Sequence, residues 1–429
     1  MKKIIPIIIL VIISAFLIFY RFTDIPKNLS FDEVEFTKLA LSLDKKPYIP
    51  YSQLATGHST LYFYTILSSL KTFGVNAFGL RFPAAVFGIL SVLLFYLIIN
   101  NLKNYELKTR YLNVLPFLLS MVLLTSRWFF NFARFSFEAT FLLFLELASI
   151  YFLLKFDEPG GPIGVWRSKK TVLSFFYLII SGIFSGLAFL SYTPGRIFFL
   201  LPIGFILFRK RFNRETIKFL LMFLVPFIIT IAPLTSYLST NKDTRIDQQF
   251  FLNNHEMPVE EKLTGLWQNI SSTALMFNIK GDVNGRHNYP NKPALNPILG
   301  ILFIVGLFIS IKEFKKIYNK LFLFYFLLSL IPAIMTYAWE NPNMLRTYTT
   351  LPAIVYFVGL SVITLNNFLS KMVKEKKIKF LILNTLYLIL IFSSIYELRT
   401  YFKYQSTVFD QAFEIKLPLE KAIKAKSNP

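Results

Sequence analysis

The sequence predicts an all-α polytopic membrane protein of about eleven transmembrane helices, with the N-terminus inside and the C-terminus outside. The first observation behind this is a set of long apolar runs. Residues 4–20, 82–100, 137–154, 171–190 and 217–238 are nearly free of charge and close to the roughly 20 residues that cross a bilayer core. The second is composition: 54% of the 429 residues are hydrophobic, 16% are charged, and there are 49 Phe and 22 Tyr. A soluble domain of this length carries more charge, and aromatic side chains suit membrane interfaces. The third is the placement of the cations. A net charge of +22 would suit a nucleic-acid partner if it formed one basic surface, but the cations lie in short segments between the apolar runs, so nucleic acid is excluded.

Those segments set the sides. Lys2 and Lys3 place the N-terminus inside. Residues 1–20 lack a small-x-small cleavage pattern, since Phe19-Tyr20-Arg21-Phe22 is bulky throughout, so this run is expected to stay as the first span. Segments 101–110 (Lys103, Lys108, Arg110), 155–170 (Lys155, Arg167, Lys169, Lys170), 209–218 (Arg209, Lys210, Arg211, Arg214, Lys218), 312–320 (Lys312, Lys315, Lys316, Lys320) and 371–379 (Lys371, Lys374, Lys376, Lys377, Lys379) then all fall inside. Segments 21–81, 126–136, 191–196, 239–293, 340–346 and the tail 396–429 fall outside. In 239–293 six cations, Arg245 and Arg286 among them, meet six anions, the balance of an exported loop. The whole chain, 1–429, reads as one membrane domain in the cytoplasmic membrane. Its two long outer segments, 21–81 and 239–293, are the places to look for chemistry. Glu158-Pro159-Gly160-Gly161-Pro162 is an inner turn. The chain has no cysteine, which removes disulfides, thiol catalysis and cysteine-bound metal.

Asn28-Leu29-Ser30-Phe31-Asp32-Glu33 opens a helix. Ser30 with Glu33 three residues on is a capping box, and acids in the first turn suit the helix dipole. Capping explains Glu33 but leaves Asp32 over. On a helix Asp32 shares a face with Phe36, Leu39 and Leu43. A carboxylate on that apolar side loses hydration unless it is paired or has a task, and a poorly hydrated carboxylate suits a general base. His58, in Gly57-His58-Ser59-Thr60-Leu61-Tyr62, is one of only three histidines. It reads as either a hydrogen-bonded interface residue or part of a site.

These segments resemble the GT-C glycosyltransferases, specifically the bacterial relatives of the dolichyl-phosphate-mannose protein mannosyltransferases and of the aminoarabinose transferases. Asp32-Glu33 is similar to the acidic pair of the first outer loop. Gly57-His58-Ser59-Thr60-Leu61-Tyr62 occupies the place of a His-Pro-Pro-Leu-Tyr-Tyr stretch, with Ser59-Thr60 departing from the Pro-Pro pair. Leu80-Arg81-Phe82-Pro83-Ala84-Ala85, Arg134-Phe135-Ser136-Phe137-Glu138-Ala139, Ser191-Tyr192-Thr193-Pro194-Gly195-Arg196, Gly281-Asp282-Val283-Asn284-Gly285-Arg286-His287 and Glu340-Asn341-Pro342-Asn343-Met344-Leu345-Arg346 resemble later segments in the same order.

The resemblance implies a GT-C fold with juxtamembrane helices in the first outer loop. It implies a polyprenyl-phosphate-linked sugar as donor, and an acceptor hydroxyl on a glycolipid, a protein or a wall polymer. It implies catalysis by Asp32 with Glu33, and substrate binding by His58, Arg81, Arg134, Glu138, Arg196, Arg286, His287 and Arg346. The arginines would meet a phosphate leaving group, which their planar fork suits. Arg134 and Glu138, four residues apart, are alternatively an ion pair. Relatives differ in metal use; Asp32, Glu33, His58, His255 and His287 are the residues available for a divalent ion, and none is assigned as a ligand. The chain lacks an Asp-x-Asp pair and a Gly-rich phosphate loop, which disfavours a nucleotide donor. A transporter or lipid flippase is the main rival, because Glu146 lies deep in an apolar run with no role in this scheme. A lipid-linked-glycan polymerase or ligase and a non-catalytic scaffold are further alternatives.

Overall fold

The computed structural model describes residues 4–106, 113–157, 169–209 and 213–425. Lys2, Lys3, Lys108, Arg110, Arg167, Lys210, Arg211 and the turn at 158–162 lie outside the described residues. Among those described, six helices are long and apolar enough to cross a membrane: Ala77–Leu102, Glu138–Phe156, Arg214–Leu238, Ile317–Ile334, Tyr348–Met372 and Lys376–Ala412. Ile5–Phe19, Leu115–Thr125, Phe175–Phe189 and Pro297–Lys312 are apolar but shorter. The chain is therefore a multi-pass membrane protein.

Burial sorts these helices. Glu138–Phe156 and Tyr348–Met372 are enclosed by protein along most of their length, whereas Arg214–Leu238 and Lys376–Ala412 present mostly exposed apolar side chains. An apolar helix whose outer face has no protein partner is solvated by lipid. Glu138–Phe156 packs between Ala77–Glu106 and Lys169–Phe189, while Pro297–Lys312 packs on Leu351–Met372. That last contact is backbone-close: a Cβ on Gly306 would collide with the Phe357 carbonyl.

The short span Leu115–Thr125 has a local cause. Ser126 takes an extended conformation (φ −50°, ψ 121°), and the chain restarts as the helix Arg127–Phe132. Segment 126–136, expected on the outer side, is fully buried. Arg127 donates to the Pro293 carbonyl and to Asn288, and Trp128 Nε1 donates to the Met344 carbonyl at 2.7 Å. It forms the floor beneath the turns that carry Arg286, Pro293 and Met344.

Segment 21–81 folds as the helix Phe31–Ser42, a short hairpin pairing Tyr51–Ser52 with His58–Ser59, and the helix Leu61–Phe73. Residues 239–293 form the helices Thr244–Gln249 and Val259–Met276 with turns between and after them. The segment expected to be a short tail is a built element. The last span runs through a π-helical stretch, Thr400–Gln405, into helices Ser406–Ala412 and Leu419–Ala425. The tail then pairs with the first loop, Leu29 bridging Ile415 and Glu414 accepting from the Phe31 amide at 3.2 Å.

Candidate functional site

Ser30 caps the helix Phe31–Ser42: its hydroxyl accepts from the Glu33 amide at 3.2 Å, and Glu33 accepts from the Ser30 amide at 3.1 Å. Closing this box turns Glu33 inward, where its carboxylate grips Arg81 with two bonds of 2.7 and 2.9 Å and accepts from the Ser136 amide. Arg81 also donates to the carbonyls of Pro26 and Asn28. Both side chains are fully buried. They tie the loop to the spans and stand apart from the open cleft.

Asp32, one residue earlier, has a different fate. Phe36, Leu39 and Leu43 below it are buried, but Asp32 sits at the free end of that stripe and opens into a cleft of about 440 Å³. Its carboxylate is 38% exposed and accepts from Arg286 at 2.5 Å. Arg286 is held in a tight turn in which Asn131 donates to its carbonyl and Asn284 accepts from its amide. His287 turns to Asp282 at 2.8 Å, and the same carboxylate accepts from the Met344 amide.

Across the cleft stands a linear chain of contacts. His58 Nδ1 meets Glu138 at 2.5 Å, and Arg245 donates to His58 Nε2 at 2.7 Å. The neutral tautomer with hydrogen on Nδ1 satisfies both of these bonds, while Nε2 also lies 2.9 Å from the Ala55 carbonyl oxygen, which the other tautomer would engage instead. Burial, then the Arg245 charge, push the imidazole pKa below its usual value and outweigh the opposing pull of Glu138. Gly57 makes this meeting feasible. Its φ of +92° turns the hairpin, and a Cβ there would collide with Tyr51 and Thr244.

Arg245 also lies over the Tyr192 ring and lines a second, apolar groove of about 280 Å³ beside Ile331, Pro332 and Met335. Arg245 and Arg346 line both spaces, so two cations stand where the polar cleft meets the apolar groove. Arg346 is paired with Glu340 and donates to Thr336 at 3.1 Å. Arg196 lines the groove only, paired with Asp243. Burial would raise the Asp243 pKa, but the Arg196 guanidinium holds it below the usual carboxylate range.

The structure thus brings Asp32, His58, Arg286, His287 and Arg346 to one cleft, with Glu138 just behind His58 and Arg196 in the adjoining groove. It does not bring Glu33, Arg81 or Arg134 there. Arg134 is enclosed by the Ile18, Arg21 and Ile25 carbonyls and the Tyr401 hydroxyl, and it does not pair with Glu138. Sequence reasoning counted Arg245 among the loop cations without singling it out. Its one local signal is its place two residues after Asp243, the N-cap of Thr244–Gln249. Trp339, exposed on the cleft wall and stacked on Tyr337 at 4.3 Å, also escaped notice. Among the described residues no three His or carboxylate groups converge as metal ligands. His58, His287, Glu33 and Asp32 are each engaged by another side chain, and His255 is exposed elsewhere, so none is assigned as a ligand.

The helical membrane bundle with a polar cleft among its loops, taken with the comparisons that follow, is that of a GT-C glycosyltransferase. The profile of the dolichyl-phosphate-mannose-protein mannosyltransferase family matches residues 8–242, more than half of the chain, and the chain belongs to that family. ArnT from Cupriavidus metallidurans has a similar fold, with a TM-score of 0.55 at 11% identity, covering 95% of this chain and 77% of that one. A second ArnT structure, bound to undecaprenyl phosphate, matches at 0.55 and 12% identity with the same coverage. The oligosaccharyltransferase of Archaeoglobus fulgidus matches at 0.55 and 14% identity, covering 96% of this chain and 56% of that one. No curated protein sequence matches this chain.

Proposed function

We propose that the chain moves a sugar from a polyprenyl-phosphate carrier to an acceptor hydroxyl on the extracytoplasmic face, with Asp32 as general base. The observation that carries this reading is the junction of two unlike spaces. The apolar groove suits a polyprenyl chain, the polar cleft suits a sugar, and Arg245 and Arg346 stand at the seam where the phosphate joining them would lie. The family and the ArnT complex with undecaprenyl phosphate support the same donor class.

The chemistry follows from the side chains. The acceptor oxygen attacks carbon one of the sugar, its proton passes to the Asp32 carboxylate, and the carbon–oxygen bond to phosphate breaks with the electron pair leaving on the phosphate. Charge grows on that phosphate as the bond breaks, and the two arginines lower the barrier by meeting it. Arg286 holds Asp32 in the substrate-free chain. A phosphate nearby competes for the same guanidinium and so frees the base. Segments 21–81, 239–293 and 396–429 form the outer side in this proposal, which follows the lysine distribution.

Glu146 now has a structural role. It accepts from the Tyr325 hydroxyl at 2.7 Å, joining two buried helices away from the cleft, and so no longer argues for a transport path. The test is purified chain in nanodiscs given polyprenyl-phosphate mannose and polyprenyl-phosphate aminoarabinose. Release of polyprenyl phosphate with one of them, abolished by Asp32→Asn, is expected. If neither donor binds or is consumed, the proposal is wrong.

A further inference from the structure

The proposed transfer uses one end of the bundle, and the lysines gather at the other. Segments 312–320 and 371–379 hold nine lysines against two glutamates. Helix Leu351–Met372 begins five residues after Arg346 and carries Lys371 in its last turn; its 22 residues rise about 33 Å, so this region is a separate place from the cleft. There the helices Ala77–Glu106, Leu115–Thr125 and Leu351–Met372 part around a crevice of about 380 Å³, within the range of about 300–1,000 Å³ for ligand sites. Leu102, Leu119, Leu360 and Ile363 supply apolar walls, and two lysines, Lys316 and Lys371, line the same crevice with one carboxylate, Glu313. The Lys316 side chain, paired with Glu313 at 2.8 Å, is 49% exposed.

A soluble anion has no use for apolar walls between spans, and a neutral lipid has no use for the lysines. A molecule with an acyl chain and a negative headgroup uses both. We propose that this crevice binds an anionic glycerophospholipid, one acyl chain lying between the helices and the headgroup phosphate resting on Lys316 and Lys371. Lysine suits this task as a mobile point charge that keeps its ammonium at the interface while its stem lies along apolar surface. The site is independent of the transferase reading.

Native mass spectrometry of the full chain, released from nanodiscs of phosphatidylglycerol mixed with phosphatidylcholine, counts retained lipids. One phosphatidylglycerol should remain on the wild type. The double variant Lys316→Glu with Lys371→Glu should lose it, with affinity reduced at least about tenfold. Ile363→Trp, which fills the crevice and keeps both lysines, should lose it too. The control Lys374→Glu with Lys377→Glu makes the same charge change outside the crevice and should retain it. Equal retention of phosphatidylcholine, or unchanged phosphatidylglycerol on both crevice variants, overturns the proposal.

Discussion

Replacing Arg245 with alanine is the sharpest probe of the donor site, because this side chain faces the cleft, the groove and His58 at once. It is 8% exposed, so a contact to phosphate there is charge-assisted and shielded from water. Such a contact is worth about 1.5–3 kcal/mol, which corresponds to about a tenfold to 150-fold loss. The alanine variant also forfeits the stacking of the guanidinium on Tyr192 at 5.7 Å, so the upper half of that range is expected. Part of the loss should appear as weaker donor binding, since the phosphate is charged in substrate and product. The rest should appear in the rate, since negative charge on the bridging oxygen grows in the transition state. Lysine should rescue partly, since it carries the charge without the planar fork. The assay is a titration of polyprenyl-phosphate sugar against wild type, Arg245→Ala and Arg245→Lys in nanodiscs, with rates measured across the donor range. A wild-type donor dependence and rate in the alanine variant would refute the assignment of Arg245 to the phosphate.

Asp32→Asn should leave the thermal stability of the protein unchanged and lower transfer by about 10²–10⁴; near-normal turnover would return Asp32 to a helix-terminal role. Glu33→Gln should act on folding, because Arg81 is left buried without its counter-charge, a loss of about 3–5 kcal/mol that a thermal-denaturation series in detergent would register. His58 carries a pH signature: its folded pKa lies below the unfolded value of about 6.5, so its contribution is intact above that pH and is lost as pH falls through the folded pKa. Donor affinity should therefore drop on acidification while Arg245 loses its acceptor, and His58→Gln should flatten that profile; an unchanged slope in the variant would show another group at work. Cysteines placed at Gln53 and Lys374 in this cysteine-free chain should react oppositely with an impermeant thiol reagent applied to intact cells, Gln53→Cys labelled and Lys374→Cys protected.

The parts of this architecture that repeat along the chain were legible in sequence. Apolar runs mark spans because lipid and water sort residues one at a time. The capping box at Ser30 and Glu33 was legible for the same reason, since both partners lie within one turn. Asp32 stood out because a carboxylate breaks an apolar face. What escaped was long-range pairing. Glu33 and Asp32 are neighbours with opposite environments, and only the approach of Arg81, 48 positions away, decides which of them is buried. Arg134 looked like a site residue beside Glu138, yet its bonds run to carbonyls more than a hundred positions earlier. Arg245 was hidden among balanced charges because its role depends on a hairpin turned by Gly57 nearly two hundred residues upstream.

The junction of Leu29 with Ile415, and of the Phe31 amide with Glu414, sets an order of events during synthesis. The helix Phe31–Ser42 is made before most of the spans, and the segment around Glu414 and Ile415 that braces it is made after them. Phe413, which packs under the Arg81 guanidinium at 5.9 Å, arrives equally late. A ribosome halted after the last span would leave a chain already threaded through lipid but with its first loop still unbraced. If the cleft performs the proposed transfer, it should become competent only after residues 413–415 have joined the first loop.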